Sequence, residues 1–268
     1  MGDVKVNNTA ASLLEAVFPQ YCLLCQLRSF SPLPLCADCF AHLQGNDHAC
    51  GRCALPLAAT AAGLCSQCSA QPPAFDSVIA PLVYEPHIAL LISRWKFQRE
   101  RRLTRLLALL WLAWVIPPTD RDLLLPVPLH WRRLLWRGFN QAALLGRSLA
   151  GMGHGKLAVD ALVRTKRTPV LGGLGAKARR RALAGAIRVS GNGAKAVRGR
   201  SVILVDDVLT SGATSQACVA ALKRAGATRV IICCFARVLD GERNPGMAAA
   251  PPWPQSETPE TAKVPGAT

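Results

Sequence analysis

Hydrophobic and polar positions alternate between two kinds of run along the middle of the chain. Val78 to Tyr84 is a short, β-branched apolar stretch that predicts a strand, and Ile88 to Ile116 carries apolar residues at helical spacing with basic interruptions. Leu123 to Val127 predicts a second strand, ended by Pro128, and Asn140 to Leu149 a helix. Ser201 to Val205 is an unbroken apolar run of the kind buried on both faces of a parallel sheet. Ser215 to Ala225 has the stripe of an amphipathic helix and stops at Gly226, and Val230 to Phe235 is the next strand. Strand, helix and strand in that order make a βαβ unit, so the fold class read from the pattern is α/β with a parallel sheet.

Two flanking zones break this pattern. Residues up to Cys68 are rich in cysteine, with a boundary at Gln71-Pro72-Pro73. After Asp240, the prolines at 245, 251, 252, 254, 259 and 265 sit among alanine and threonine, and so few apolar groups cannot offset the entropy cost of ordering. The expected organisation is a small cysteine module over 13–70, an α/β domain over 78–238 and a disordered tail over 240–268.

Half of the 268 residues are hydrophobic, which excludes wholesale disorder. The formal net charge is +16, most of it arginine, and arginine pairs bidentately with phosphate oxygens, so polyanions are the natural partners. Asp3, Lys5, Asn7 and Asn8 precede only a short apolar stretch, so no secretion signal is read at the start and a cytoplasmic location is expected. The longest apolar run, Leu106 to Ile116, is well short of the roughly 20 residues a bilayer requires. It is expected to pack Trp111 and Trp114 in the core, without membrane insertion.

Eight cysteines form four Cys-x-x-Cys knuckles: Cys22/Cys25, Cys36/Cys39, Cys50/Cys53 and Cys65/Cys68. That spacing aims two thiolates at one tetrahedral ion, and two knuckles complete a closed, structural four-sulfur zinc site. Two zinc ions follow, either in tandem (the first four cysteines on one ion, the last four on the other) or in an interleaved cross-brace. Disulfides and a thioredoxin-like redox role are the rival readings, disfavoured by the cytosolic context and by the number of regular knuckles. Cys218, Cys233 and Cys234 fall in a predicted helix and strand and read as buried apolar residues.

Val202 to Thr214 places Asp206 and Asp207 at the carboxyl end of a buried strand, followed by a small hydroxyl-rich loop and a helix. Ligands of parallel sheets bind at that edge, and loop amides plus a helix N-terminus can hold a phosphate, aided by the hydroxyls of Thr210, Ser211 and Thr214. This stretch resembles the thirteen-residue phosphoribosyl pyrophosphate motif of type I phosphoribosyltransferases. The resemblance implies that Val205, Asp206, Asp207, Thr210, Ser211, Gly212, Ala213 and Thr214 bind that donor, with Asp206 and Asp207 catalytic and holding the ribose hydroxyls directly or through Mg2+. The cysteine module, Trp95-Lys96-Phe97, Pro126 to His130 and Arg137 to Gln141 together, in that order, resemble the ComF/GntX-like proteins over about Leu13 to Arg237. This family is associated with DNA uptake in competent bacteria. The resemblance therefore implies an enzyme transferring phosphoribosyl to an unidentified acceptor, with single-stranded DNA and a competence helicase or uptake machinery as partners. A non-catalytic, single-strand-binding role that uses the same pocket for recognition is the second expectation.

Arg137 and Arg133, with Arg132, follow the Pro126 to His130 segment where the related fold binds pyrophosphate, and His130 reads as structural. A second basic zone runs from Arg164 to Arg200. After Thr168-Pro169 the chain departs from the family pattern, with Leu171, Arg179, Ala182 and Ala186-Ile187 where a glutamine, an Arg-x-x-Asn pair and Ala-Phe are usual. That segment is expected to form the flap over the site.

Overall fold

The computed structural model describes residues 20–31, 33–58, 63–114, 122–166, 183 and 185–239, the Trp114 side chain excepted. The expected tail, the start of the ribbon module and most of the departing segment, including Leu171, Arg179 and Ala182, lie outside these residues.

The cysteine module contributes two one-turn helices, α1 (Ala37–Ala41) and α2 (Ser66–Ala70), each capped by a cysteine: the Cys36 and Cys65 sulfurs accept from the amides of Cys39 and Cys68. Chain then enters the α/β body as β1 (Ser77–Ile79), β2 (Leu82–Val83), α3 (Pro86–Phe97), α4 (Leu103–Trp114), β3 (Leu123–Pro126), α5 (Trp131–Arg137), α6 (Gln141–Gly151) and β4 (Lys156–Leu157). It continues as β5 (Leu162–Arg164), β6 (Ile187–Val189), α7 (Gly191–Val197), β7 (Ser201–Val205), β8 (Val208–Leu209), α8 (Ala213–Arg224), β9 (Arg229–Cys233) and β10 (Ala236–Arg237).

The main sheet has the order β1-β9-β7-β3-β4 and is parallel throughout. Its centre is β7, buried from Val202 to Val205, because an all-apolar strand is stable only where both faces are covered. A smaller parallel sheet, β2-β10-β8, stands beside it, and β5 and β6 form an antiparallel hairpin. The fold is α/β with a parallel sheet, as the apolar runs predict.

One of those runs divides in a way the pattern does not show. Val78 to Tyr84 is not one strand: β1 pairs with β9 in the main sheet and β2 with β10 in the small one. Pro81 separates them, having no N–H for a ladder. Val230 to Phe235 overruns its strand: β9 ends at Cys233 in the main sheet, and the next strand, β10, starts only at Ala236 in the small one.

The core centres on Trp95, Trp111 and Phe235, all fully buried, and one continuous apolar cluster extends from β7 and α4 into Cys22, Leu24, Leu35 and Cys39 of the first ribbon. Cys50, Cys65 and Cys68 form a separate small cluster. Cys218, Cys233 and Cys234 are buried, as expected of small apolar residues. Among the described residues no helix is long and apolar enough to cross a membrane.

Candidate functional site

The metal-binding geometry is tandem. The ligand atoms of Cys22, Cys25, Cys36 and Cys39 all lie within 4.8 Å of one another, as do those of Cys50, Cys53, Cys65 and Cys68. Sulfurs of Cys25 and Cys36 are 3.8 Å apart and those of Cys53 and Cys65 3.7 Å apart. That separation is close to the edge of a tetrahedron built from metal–sulfur bonds of about 2.3 Å, so four sulfurs in each set fit a structural zinc ion. Burial raises thiol pKa values here, yet donors outweigh it at two positions. Amides of Cys25, Cys36 and Leu24 bring the Cys22 thiol down to about 7, and amides of Cys65, Cys53 and Arg52 bring Cys50 down to about 6. Both therefore start close to the thiolate a metal requires.

The second centre lies at the carboxyl ends of β3 and β7. Their register pairs Pro126 with Val205, so whatever follows one strand lies beside whatever follows the other. After β7 come Asp206 and Asp207. After β3 come Val127, whose amide donates to the Val205 carbonyl at 2.8 Å, and then His130, whose Nδ1 accepts from the Arg132 amide and starts α5. His130 thus has the structural role expected of it.

Burial and the neighbouring Asp207 carboxylate push the Asp206 carboxyl up to about 7, against the opposing pull of the Asp207 amide, Lys96 and the Ser215 hydroxyl. The two carboxylates are arranged differently. Asp206 accepts from the Asp207 amide at 2.9 Å and from Ser215 Oγ at 3.4 Å, whereas Asp207 pairs with Lys96 Nζ at 2.8 Å. Tyr84 is close enough that Asp207, after burial, raises its hydroxyl pKa. Burial lowers Arg137, and Asp207 acts against that lowering. One acidic pair is therefore ringed by Lys96, Arg137 and, beside Asp206, the buried Arg164, also lowered by burial.

Below the acids the loop turns into α8. Gly212 is the N-cap, with φ +67°, and no side chain caps the helix there. Glu85, His130, Asn140 and Ser190 cap α3, α5, α6 and α7 with side-chain acceptors. The first amides of α8 therefore have no side-chain cap, at a helix end whose dipole favours anions. Thr210 and Ser211 are exposed and Thr214 half-buried beside this end, while Ala213 is buried.

Of the predicted arginines, Arg137 is half-buried, stacked over Phe97 at 5.3 Å with Nη1 donating to Gln141 Oε1. Arg133 is half-buried near Arg137 and Arg164, and Arg132 is exposed, lying over Trp131. Lys96 was not singled out as a site residue by the sequence. It comes from α3, far from Asp207 in the chain, and its only signal is its place in the Trp95-Lys96-Phe97 stretch. Of the departing segment, Ala186 and Ile187 are buried, and Ile187, the first residue of β6, pairs with Arg164 across the hairpin.

Comparison with known proteins agrees with both halves. Residues 13–69 match the double zinc ribbon domain and residues 162–249 the phosphoribosyl transferase domain. The chain is 33% identical over 234 residues to the DNA utilization protein YhgH of Escherichia coli O157:H7, covering 82% of this chain and 98% of that one. It is 31% identical over 230 residues to YhgH of Salmonella typhi, over 82% and 98% of the two chains. It is 33% identical over 211 residues to Competence protein F of Haemophilus influenzae, over 76% and 90%.

Proposed function

Since the chain belongs to the family of these DNA utilization and competence proteins, carrying a double zinc ribbon and a phosphoribosyltransferase domain, we propose that it binds phosphoribosyl pyrophosphate with Mg2+ at Asp206, Asp207 and the loop Thr210 to Thr214. On this reading it transfers the phosphoribosyl group to an acceptor. The observation that carries the reading is the pair of adjacent carboxylates directly above a helix end whose amides no side chain caps.

The 5′-phosphate sits on the amides of Ser211 to Thr214, with the Thr210, Ser211 and Thr214 hydroxyls donating. The ribose hydroxyls donate to the carboxylates. Bound at the same acids, Mg2+ supplies charge neutralisation for the departing pyrophosphate. Arg137 and Arg133, reaching the cleft from α5, offer guanidinium donors to the pyrophosphate oxygens. During transfer the bond from the anomeric carbon to the pyrophosphate oxygen breaks and its electron pair leaves with pyrophosphate. An acceptor lone pair makes the new bond to that carbon, and the acceptor's proton is lost to water. Positive charge develops on the ribose, and the carboxylates stabilise it. Reduced thiolates in two metal sites suit a cytoplasmic setting.

Calorimetric titration of zinc-loaded protein with the donor and Mg2+ tests the reading. Saturable binding is expected, with Asp206→Asn and Asp207→Asn each weakening it at least tenfold. No saturable binding by the wild type, or unchanged affinity in both variants, overturns it.

A second reading, handling of single-stranded DNA, is favoured by α5. This helix buries none of its residues and exposes Trp131, Leu135 and Trp136 between arginines, with no acid in the segment. Exposed aromatics and cations are what a single strand stacks and pairs with. Affinity should fall steeply with salt, since neutralised phosphates release counterions, and drop at least fivefold in Trp131→Ala/Trp136→Ala. Salt-independent affinity excludes it. DNA enters this reading through the relatives named DNA utilization protein.

A further inference from the structure

The second ribbon and the loop below Asp207 are joined by an unbroken set of hydrogen bonds. β8 opens that loop and pairs in parallel with β10, which pairs in parallel with β2. β2 is met in turn by the ribbon module: Gly45 bridges Leu82, the Asn46 amide donates to the Pro81 carbonyl and the Val83 amide to the Gln44 carbonyl. Asn46 Nδ2 reaches the carbonyls of Ala54 and Ala80, both at 2.9 Å, one in the second ribbon and one beside β2.

At the centre of this set is Arg237, whose side chain appears in neither sequence motif. It is 6% exposed. Its Nη1 donates to the carbonyls of Leu209 at 3.1 Å, Thr210 at 2.8 Å and Val238 at 2.6 Å, and its Nε to the carbonyl of Cys53 at 3.3 Å. Among the described residues no carboxylate pairs with it. Burying a guanidinium without a carboxylate is costly, and here the compensation is carbonyl oxygens drawn from three separate segments. One belongs to Thr210, where the phosphate loop begins, one to Leu209 at the end of β8 just before it, and one to Cys53 of the second cysteine set. The cation therefore fixes the distance between the Cys50/Cys53/Cys65/Cys68 site and the residue where the loop begins.

We propose that Arg237 is a positioning residue for the phosphate loop, and that through it the metal load of the Cys50/Cys53/Cys65/Cys68 site sets how well Thr210 to Thr214 is ordered and so how tightly it holds a phosphorylated ligand. This rests on the phosphate-loop reading above for the ligand, but not for the ordering. With the ion in place the Cys53 carbonyl is fixed, and Arg237 holds the Leu209 and Thr210 carbonyls away from the helix end, leaving the amides free to face the ligand. Without it the Cys53 peptide is released and the guanidinium loses one of its anchors.

Hydrogen exchange of the full-length, zinc-loaded chain tests this, comparing the hydrogen-bonded amides that close the loop, Val238 on the Leu209 carbonyl and Gln216 on the Gly212 carbonyl, with those of Val202 to Val205 in β7. Arg237→Gln and, separately, Cys65→Ser should each speed loop exchange at least tenfold with β7 still protected, and each should weaken phosphoribosyl pyrophosphate binding at least tenfold. Combining the two should add no more than twofold, because both cut the same connection. Arg237→Lys, which keeps the charge with fewer donors, should fall between wild type and Arg237→Gln. Unchanged loop exchange in either single variant, or effects that multiply, overturns the proposal. Should both Arg237 variants also lose β7 protection, Cys65→Ser decides alone: a loosened loop over an intact β7 supports the connection and an unchanged loop refutes it. Wild-type protein with a protected loop that fails to bind the donor would refute the ligand reading, while exchange still decides the role of Arg237.

Discussion

Glu100 and Arg94 show how much a single buried pair contributes beside the site. Arg94 is buried in α3, donates through Nε and Nη2 to the two Glu100 oxygens at 2.8 and 2.9 Å, and reaches the Leu23 carbonyl of the first ribbon through Nη1. Hydrogen bonding from Arg94 holds the Glu100 carboxyl below its usual range, against burial. A carboxylate depressed in the folded state contributes stability that is present above its unfolded pKa and lost as pH falls through the folded value. Unfolding free energy measured by denaturant titration should therefore decline as pH drops below the ordinary glutamate range, and Glu100→Gln should flatten that decline. At neutral pH the same substitution leaves a buried guanidinium short of its partner and should cost about 3 kcal/mol. Lys96, two residues from Arg94, pairs with Asp207, so the loss should also reach the acidic pair. The acids themselves were legible because they, their strand and their loop are contiguous. Lys96 was not, since nothing local says that α3 packs across the end of β7.

Helices and strands here are legible in type and less so in allegiance. Apolar runs identify β3 and β7 because a strand buried on both faces has no polar residue to confuse it. The same runs cannot say that Ser77–Ile79 and Leu82–Val83 belong to different sheets, which only the pairing with β9 and β10 decides. The start of α7 is another constraint hidden from pattern. A side chain at Gly193 would place its Cβ 2.4 Å from the Ala161 carbonyl oxygen and 2.7 Å from the Ala161 Cα, both backbone atoms. Ser190 also caps α7 through the Gly193 amide at 3.0 Å, and the Ser190 amide donates to that same Ala161 carbonyl. Gly193→Ala must push α7 off the segment before β5. It should destabilise the protein by about 1–3 kcal/mol in thermal or denaturant unfolding, despite alanine's better helix propensity.

Across the whole molecule the two metal sites are unequal partners. Cys22, Cys25 and Cys39 belong to the same apolar cluster as Trp95 and Trp111, whereas Cys50, Cys65 and Cys68 stand in a small cluster with Leu55 and Leu57. Cys39→Ser should therefore lower the melting temperature more than Cys68→Ser, by several degrees, because it opens the main core as well as a metal site. Equal shifts in scanning calorimetry would show that the first ribbon folds independently of that core. Sequence spacing gave the eight ligands, but a choice between tandem and interleaved sites needed the distances, since both satisfy the same knuckles. Arg237 reaches back to Cys53 across 184 residues of chain. At roughly 5–20 residues per second, a ribosome takes about 10–40 s to cover that interval. Both cysteine tetrads leave the exit tunnel early and are free to capture their ions while the remainder is still being translated. The loop beneath Asp206 and Asp207 gains its last strand, β10, only when Arg237 has been made, so on the reading proposed above a nascent or prematurely terminated chain acquires its cysteine sites before the loop that would hold a phosphate is complete.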